Sequence, residues 1–157
     1  MIFVTLGTHE QPFERALDLV TPLAKRHDVI VQHGHTPRRP SGPSVLWLGF
    51  AEYDEVVNLM DAACGVVCHA GTGTIMTALW LGKTPVVVPR LHRYGEHVDD
   101  HQLQIARAFA DRGLVVVCED GDALEPALRA ARRPAARRPQ QNGLRRAVAL
   151  AAAGDGR

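Results

Sequence analysis

The chain has 157 residues, enough for one domain with its own hydrophobic core. Apolar residues make up 46% of it and charged residues 22%, as in ordinary soluble domains, and no run of eighteen or more apolar residues predicts a membrane-spanning helix. A net charge of +1 and an aromatic content of 5% argue against a nucleic-acid-binding protein, which needs a basic surface and aromatic stacking platforms.

Short apolar runs alternate with longer helical patterns through most of the chain. The predicted strands are residues 2–6, 29–32, 45–48, 65–68, 85–88 and 114–118, and the predicted helices are residues 13–26, 53–63, 74–81, 99–112 and 122–131. Apolar strands without polar alternation are typical of a parallel sheet that is buried on both faces. The alternation of strands and helices therefore predicts an α/β fold with a single, doubly wound, Rossmann-like parallel sheet.

We divide the chain into a domain of residues 1–131 and an Arg/Ala-rich linker and tail of residues 132–157. From Arg129 to the end there are eight arginines and one acid, Asp155, and residues 144–152 could form a final helix. The arginine bias is either compositional drift or a basic face for an anionic membrane or an acidic partner. The N-terminus resembles a first strand and not a signal peptide, so we expect a cytoplasmic protein.

Two segments look like phosphate-binding loops. Gly82, Lys83 and Thr84 resemble the end of a P-loop, but the pattern needs glycine where Thr77 stands, and the segment precedes a strand instead of a helix. We interpret it as a helix-to-strand turn, with Gly82 in the left-handed position after the helix end.

The second segment, residues 69–74, is called the glycine loop below and reads His-Ala-Gly-Thr-Gly-Thr. It follows a strand and opens a helix, whose first N–H groups are free to bind an anion. Gly73 is expected to take a strained conformation that only glycine allows. A dinucleotide fingerprint would need glycine at Met76, and a plain strand–helix turn remains an alternative.

Polar and glycine-rich segments follow several of the predicted strands. They are residues 7–12, 49–53, 69–74 and 89–102. The carboxyl ends of parallel strands lie at one edge of the sheet, where ligands bind in α/β folds. The sequence therefore predicts one composite site at that edge, for a phosphorylated and hydroxyl-rich ligand.

The segment 89–102 has the most unusual composition. His97 and His101 are four residues apart, but Val98 stands where a zinc-binding HExxH motif needs glutamate, so we predict no metal site. Asp99 suits a helix N-cap. Residues 100–102 would follow in the first turn, with side chains that suit sugar hydroxyls or simply form a solvated face. The cysteines lack metal-ligand spacing and are expected to be buried thiols: Cys64, Cys68 and Cys118.

Three motifs resemble those of the glycosyltransferase family 28 C-terminal domain, the donor-binding half shared by MurG-type and Alg13-type N-acetylglucosaminyltransferases. They are IFVTLGTHEQPF (residues 2–13), CHAGTGTIMTALWLGKTPVVVPR (68–90) and YGEHVDDHQLQIA (94–106). Within this family the chain is most similar to the PssE/EpsF-like small subunit of two-subunit exopolysaccharide glycosyltransferases. The resemblance extends to about residue 120.

The resemblance implies the donor-binding half of a GT-B fold, with a UDP-sugar at the strand ends. The glycine loop would meet the pyrophosphate, residues 100–102 the donor sugar and Phe50 the uracil, while residues 7–9 would close the site. MurG-type members have a ribose-binding glutamate where Thr77 stands, so ribose recognition is weaker here or supplied elsewhere. The residues that we predict to contact the donor are Gly7, Thr8, Phe50, His69, Gly71, Thr72, Gly73, Thr74, Thr77, Glu96, Asp100, His101 and Gln102.

The implied function is that of a donor-binding subunit of an inverting glycosyltransferase that needs no metal or other cofactor. The general base is expected from an Alg14/PssD-like membrane-associated partner, which would bind a lipid-linked glycan acceptor and hold this chain at the inner face of the membrane. His9 is our candidate catalytic residue on this chain. The alternative is a non-catalytic binding module that enhances a partner glycosyltransferase. The donor sugar stays open, although Arg90 or Arg93 could pair with a uronic carboxylate.

Overall fold

A computed structural model describes residues 1–38, 43–119 and 124–132. The strands are β1 (Ile2–Thr5), β2 (Val29–Gln32), β3 (Val45–Leu48), β4 (Gly65–His69), β5 (Val86–Val88) and β6 (Val116–Val117). The helices are α1 (Glu14–Val20), α2 (Tyr53–Ala62), α3 (Thr72–Trp80), α4 (His101–Ala110) and α5 (Leu124–Ala131), and 3₁₀ turns span Thr21–Lys25 and His92–Tyr94. No helix in these ranges is long and apolar enough to cross a bilayer. The tail prediction concerns residues that lie almost wholly outside them.

The strands form one six-stranded parallel sheet in the order β3-β2-β1-β4-β5-β6. Ile2 in β1 lies opposite both Val29 in β2 and Gly65 in β4. The order reverses between β1 and β4, and ligands of doubly wound sheets bind in the crevice at this switch point. The predicted single parallel α/β sheet is confirmed.

Both faces of the sheet are covered by helices. Val4 and Val67 belong to an apolar cluster with α1 and α5. Their neighbours Phe3 and Val66 point to the other face, where they pack with residues of α2 and α3. Because successive strand residues point to opposite faces, burial on both faces requires the continuous apolar runs seen in the sequence.

The starts of α3 and α4 each differ from the prediction by two residues. Helix α3 begins at Thr72, two residues early, because Gly71 is extended and acts as the N-cap (φ −69°, ψ 123°). Helix α4 begins at His101, and Asp99 accepts the His101 N–H from outside the helix, with 3.0 Å between Oδ1 and N. The prediction that Asp99 is the N-cap of α4 is therefore wrong, although its carboxylate does accept an N–H at the helix start.

The cysteines divide into two groups. Cys68 and Cys118 are buried as predicted, and burial raises the pKa of Cys68 to about 12, so this thiol stays protonated. Cys64 is exposed, which corrects the expectation of a buried thiol, and its Sγ donates to the Met1 carbonyl at 3.1 Å.

Candidate functional site

The loops that follow β1, β3, β4 and β5 are joined at the carboxyl edge of the sheet. Gln32, the last residue of β2, donates its amide to the carbonyls of Gly7 (3.2 Å) and Gly49 (3.0 Å) and accepts the hydroxyl of Thr5 (2.7 Å). Gln102 accepts the backbone N–H groups of Ala70 (3.3 Å) and Arg90 (3.1 Å). Gln32 therefore joins the loops after β1 and β3, and Gln102 joins the loops after β4 and β5.

The glycine loop leads directly into α3. The first bond of this helix runs from Ile75 N to Gly71 O at 3.0 Å, so the preceding first-turn N–H groups of Thr72, Gly73 and Thr74 have no helical partner. A Cβ placed on Gly73 would meet nothing within 4 Å. Gly73 has an ordinary helical backbone and is not among the glycines with positive φ, so the expected strain there is wrong. Gly73 instead leaves open space in front of the first N–H groups of α3, where an anion could bind.

His69 explains the glycines on either side of it. A Cβ on Gly7 would lie 2.7 Å from Cε1 of His69, and a Cβ on Gly71 would overlap the same ring. Gly7 also has φ +77°, which only glycine adopts readily. Burial and the nearby Arg90 charge lower the pKa of His69 to about 4, against an opposing interaction with the Thr5 backbone, so its ring is neutral at pH 7. His69 therefore packs between the loop after β1 and the glycine loop.

Among the described residues, Arg90 is the largest fully buried side chain, 1% exposed. Its guanidinium donates to the carbonyls of Leu6 (3.0 Å), Gln11 (2.7 Å) and Glu96 (3.1 Å), and lies 4.6 Å from the centre of the Phe13 ring. Burial lowers its pKa to about 10, which leaves it charged at pH 7. Burial and these bonds correct the expectation that Arg90 could pair with a uronic carboxylate.

Glu96 makes bonds inside the protein that the sequence did not predict. Its buried carboxylate pairs with Arg15, at 2.9 Å between Oε2 and Nη2, and accepts the Leu91 N–H at 2.9 Å. Its other oxygen, Oε1, accepts from Arg15 Nε at 3.1 Å, so Glu96 positions the loop after β5, and a contact with the donor stays a prediction. One carboxylate beside the Arg15 and Arg90 guanidiniums leaves an excess of buried positive charge at this edge, which favours an anion.

The polar residues at the start of α4 are brought to the same edge. Asp100 is exposed and accepts the His92 N–H at 2.9 Å, which ties the helix start to the 3₁₀ turn. His101 is partly buried at the first helical position. Gln102 is buried with its amide oxygen engaged as described, so it shapes the loops after β4 and β5. Contacts of these residues with a sugar stay a prediction.

Thr77 and Phe50 lie on the other side of the glycine loop. Thr77 is buried, and its hydroxyl donates to the Gly73 carbonyl at 2.9 Å and lies 3.3 Å from the Tyr53 hydroxyl. Phe50 is 59% exposed, and His35 meets its ring edge-on with 5.0 Å between centroids. An exposed aromatic face at the strand ends suits a planar base, whereas Thr77 offers a hydroxyl that is already bonded.

The first loop meets the loop after β5 through two imidazoles. The ring centroids of His9 and His97 are 4.8 Å apart, and Nδ1 of His97 lies 3.0 Å from Oδ1 of Asp99. Thr8, beside them, is exposed. In the described part of the chain, no group of three or more His, Cys, Asp and Glu side chains is arranged to hold a metal ion.

Several residues that build this edge were missed from the sequence. Gln32 could have been found, because it is a polar residue at the end of the apolar strand VIVQ. Arg15 could not, because an arginine on an amphipathic helix normally lies on its solvated face.

The Gly82-Lys83-Thr84 segment lies between the end of α3 and β5, with Gly82 at φ +72° and Lys83 Nζ bound to the Asp61 and Ala63 carbonyls, so the predicted turn is confirmed.

The fold and this edge define an α/β domain with a candidate ligand site at the switch point of its sheet. The chain belongs to the glycosyltransferase family 28 C-terminal domain family, whose model matches residues 1–153. The family resemblance predicted from the three motifs is therefore confirmed, and the match extends past residue 120 into the Arg/Ala-rich tail.

Curated relatives agree with the family. The chain is 36% identical over 76 residues to the "UDP-N-acetylglucosamine transferase subunit ALG13" of Yarrowia lipolytica, and 38% identical over 73 residues to the protein of the same name from Candida glabrata. These matches cover 48% and 46% of this chain and span only 37% and 35% of the relatives.

Solved structures share the fold. The glycosyltransferase of kitacinnamycin superposes with a TM-score of 0.67, and the glycosyltransferase SnogD from Streptomyces nogalater with 0.62. Both are 19% identical in sequence, and each match covers 96% of this chain but 39% and 38% of the other. These neighbours are GT-B glycosyltransferases, so the chain corresponds to one part of a GT-B fold.

Proposed function

We propose that this chain is the donor-binding subunit of an inverting, metal-independent glycosyltransferase that uses a UDP-sugar in polysaccharide biosynthesis. The observation that carries the proposal is the start of α3 at the switch point, where free N–H groups face open space at Gly73. The excess positive charge of Arg90 lies behind the same edge. A diphosphate is the part of a UDP-sugar that such a site would bind.

The same geometry suits the chemistry of glycosyl transfer. The bond from the anomeric carbon to the diphosphate breaks through an oxocarbenium-like state, while negative charge grows on the departing UDP. Fixed backbone N–H groups stabilise such charge by about 3 kcal/mol for each well-placed donor. Stabilisation by helix N–H groups and a buried guanidinium is the basis on which we propose that no metal is needed.

The acceptor side is proposed to lie on a second protein. Both curated relatives are named as subunits of a transferase. We propose a partner of the Alg14/PssD-like, membrane-associated kind that binds a lipid-linked glycan and keeps this chain at the cytoplasmic face of the membrane. The donor site at an open sheet edge supports this, because transfer requires an opposing surface that presents the acceptor hydroxyl.

Calorimetry of the purified chain tests the donor assignment. We expect weak binding of UDP that is unchanged by EDTA, and a panel of UDP-sugars would then identify the donor. Titrations with ADP and GDP under the same conditions are the controls. If millimolar UDP gives no heat and no thermal shift, while another nucleotide stabilises the protein, the proposal is wrong.

A further inference from the structure

Helix α3 has an apolar outer face that the described residues leave open to solvent. The helix contains no charged residue, and Gly73, Met76 and Trp80 follow one another along this face at spacings of three and four. Trp80 is 74% exposed, the highest value among the large apolar side chains in the described ranges. A helix that is apolar all round is normally buried, so the outer face of α3 requires a cover.

Helix α2 places carboxylates at the border of this face. The two helices touch at both ends, where the Tyr53 hydroxyl lies 3.3 Å from Oγ1 of Thr77 and Lys83 Nζ donates to the Asp61 carbonyl at 2.7 Å. Asp54 and Asp61 stand at these two contacts and are exposed. Neither carboxylate forms an ion pair with another described residue. The negative border favours a basic occupant.

The described part of the chain stops beside the same face. Nη2 of Arg132 lies 3.3 Å from Sγ of Cys64. Cys64 comes directly after Ala63, whose carbonyl accepts from Lys83 Nζ at 2.9 Å. Lys83 belongs to the turn that follows α3. Residues 133–157 therefore begin near the end of α3 that carries the exposed tryptophan.

The C-terminal segment, residues 133–157, has the charge that the border of this face favours. It contains six arginines and one acid and so carries +5, and because the total is +1, residues 1–132 carry −4. Opposite net charges on two joined parts of a chain favour their association. Residues 133–143 can span up to about 35 Å when extended, whereas a nine-residue helix such as α3 is about 13 Å long.

The later part of the C-terminal segment has the pattern of a helix with one apolar side. In residues 144–152, Leu144, Val148 and Ala151 recur at spacings of four and three, and Arg145 and Arg146 stand outside that stripe. The family model matches up to residue 153, so this stretch lies within the family domain. A short apolar stripe edged by arginines is complementary to an apolar face edged by aspartates.

We propose that residues 144–152 pack as a helix on the outer face of α3, over Met76 and Trp80, with their arginines towards Asp54 and Asp61. The inference does not depend on the donor assignment. It gives the arginine bias an intramolecular role, in place of compositional drift or a surface for a membrane. An anionic membrane suits this face less well, because the aspartates that attract arginine repel lipid phosphates.

Acrylamide quenching of Trp80 tests this packing in the full chain. The protein has two tryptophans, so Trp47→Phe leaves Trp80 as the only one. Trp80 should be shielded at low ionic strength. Val148→Glu should raise its quenching constant by roughly twofold or more, because a carboxylate in the apolar stripe would be buried beside two aspartates. Ala149→Glu lies off that stripe and is the matched control, and circular dichroism checks that each variant is folded.

Limited trypsin digestion gives a second measurement that needs no change in the C-terminal segment. Trp80→Ala should speed cleavage after Arg145 and Arg146 by roughly threefold or more, because cleavage follows the population of the undocked segment. Cleavage after Arg137, between the described residues and the predicted helix, should keep its wild-type rate. Mass spectrometry of the fragments distinguishes these sites within one digest.

Each result either supports this packing or overturns it. Equal quenching of Trp80 with and without Val148→Glu, or unchanged cleavage in Trp80→Ala, overturns the inference. Shielding of Trp80 that appears only with anionic vesicles assigns the face to a membrane. Shielding that appears only with a second protein, or that rises with the concentration of the chain, assigns it to a partner or a second copy. Any of these assignments also overturns the inference, whereas shielding in the dilute chain that Val148→Glu removes supports it.

Discussion

His69 couples the candidate site to the stability of the fold. Its ring separates two glycines, and its pKa is lowered from 6.5 to about 4 by burial and by Arg90. As pH falls below 6.5, His69 binds a proton in the unfolded chain, whereas in the folded chain it binds one only near pH 4. The stability that comes from neutral His69 is therefore present above pH 6.5 and is lost as pH falls towards 4.

We predict that His69→Gln flattens this pH dependence. Between pH 6.5 and 5 the wild-type protein should lose roughly 1.5 kcal/mol more than the variant, because the slope approaches about 1.4 kcal/mol per pH unit only below pH 6.5. Urea unfolding at several pH values measures the difference. His92→Gln, which removes an exposed histidine, should keep the wild-type slope, and an equal slope in His69→Gln would show that the ring titrates freely.

Also at the residue scale, Gly7 is predicted to tolerate no side chain. Gly7→Ala places a Cβ against the His69 ring and forces alanine into φ +77°, so it should cost roughly 2–4 kcal/mol. Gly95→Ala is the control, because Gly95 has φ +67° but open space around its Cβ and should cost only about 1 kcal/mol. Equal losses of unfolding free energy would mean that contact with His69 contributes nothing.

At the scale of single elements, the start of α3 is the feature on which donor binding depends. Gly73→Val should leave the fold intact, since the position is helical and its Cβ meets no protein atom within 4 Å. UDP affinity should fall at least tenfold, because the isopropyl group fills the space in front of the N–H groups. Calorimetry measures the affinity, and Gln104→Val on the exposed face of α4 is the control. Unchanged affinity in Gly73→Val would remove the glycine loop from the site.

Much of this architecture was predictable at the element scale. Runs such as VIVQ and GVVCH are too apolar for a sheet with one face exposed to solvent, and they predicted a parallel sheet buried on both faces. The helix starts were less accurate, because Gly71 is the extended N-cap of α3 and Asp99 accepts an N–H from outside α4. The role of Glu96 was out of reach, since its partner Arg15 is 81 positions away and nothing local marks the pair. Side-chain pairing across loops depends on tertiary contacts that a single sequence does not specify.

For the molecule as a whole, we predict that the chain alone transfers no sugar. Its sheet forms one wall of a cleft, and transfer requires a second surface that holds the acceptor hydroxyl about 3 Å from the anomeric carbon with a base beside it. Activity with UDP-sugars and a lipid-linked acceptor should appear when the membrane-associated partner is added. The assay uses the purified chain with and without that partner. Multiple turnover by the chain alone would contradict the proposed division of labour, whereas UDP binding without any turnover in the complex would favour the non-catalytic binding module.

The buried guanidinium of Arg90 has a consequence for how this domain can evolve. Its acceptors in the loops are backbone carbonyls, those of Leu6, Gln11 and Glu96. Every amino acid supplies a carbonyl, so these bonds survive when the exposed side chains of the loops are replaced. We therefore expect homologues with different sugar preferences to vary at exposed positions such as Thr8 and Arg93 while they retain Arg90. The side chains of the loops can then change while Arg90 keeps the loop backbone in the same conformation.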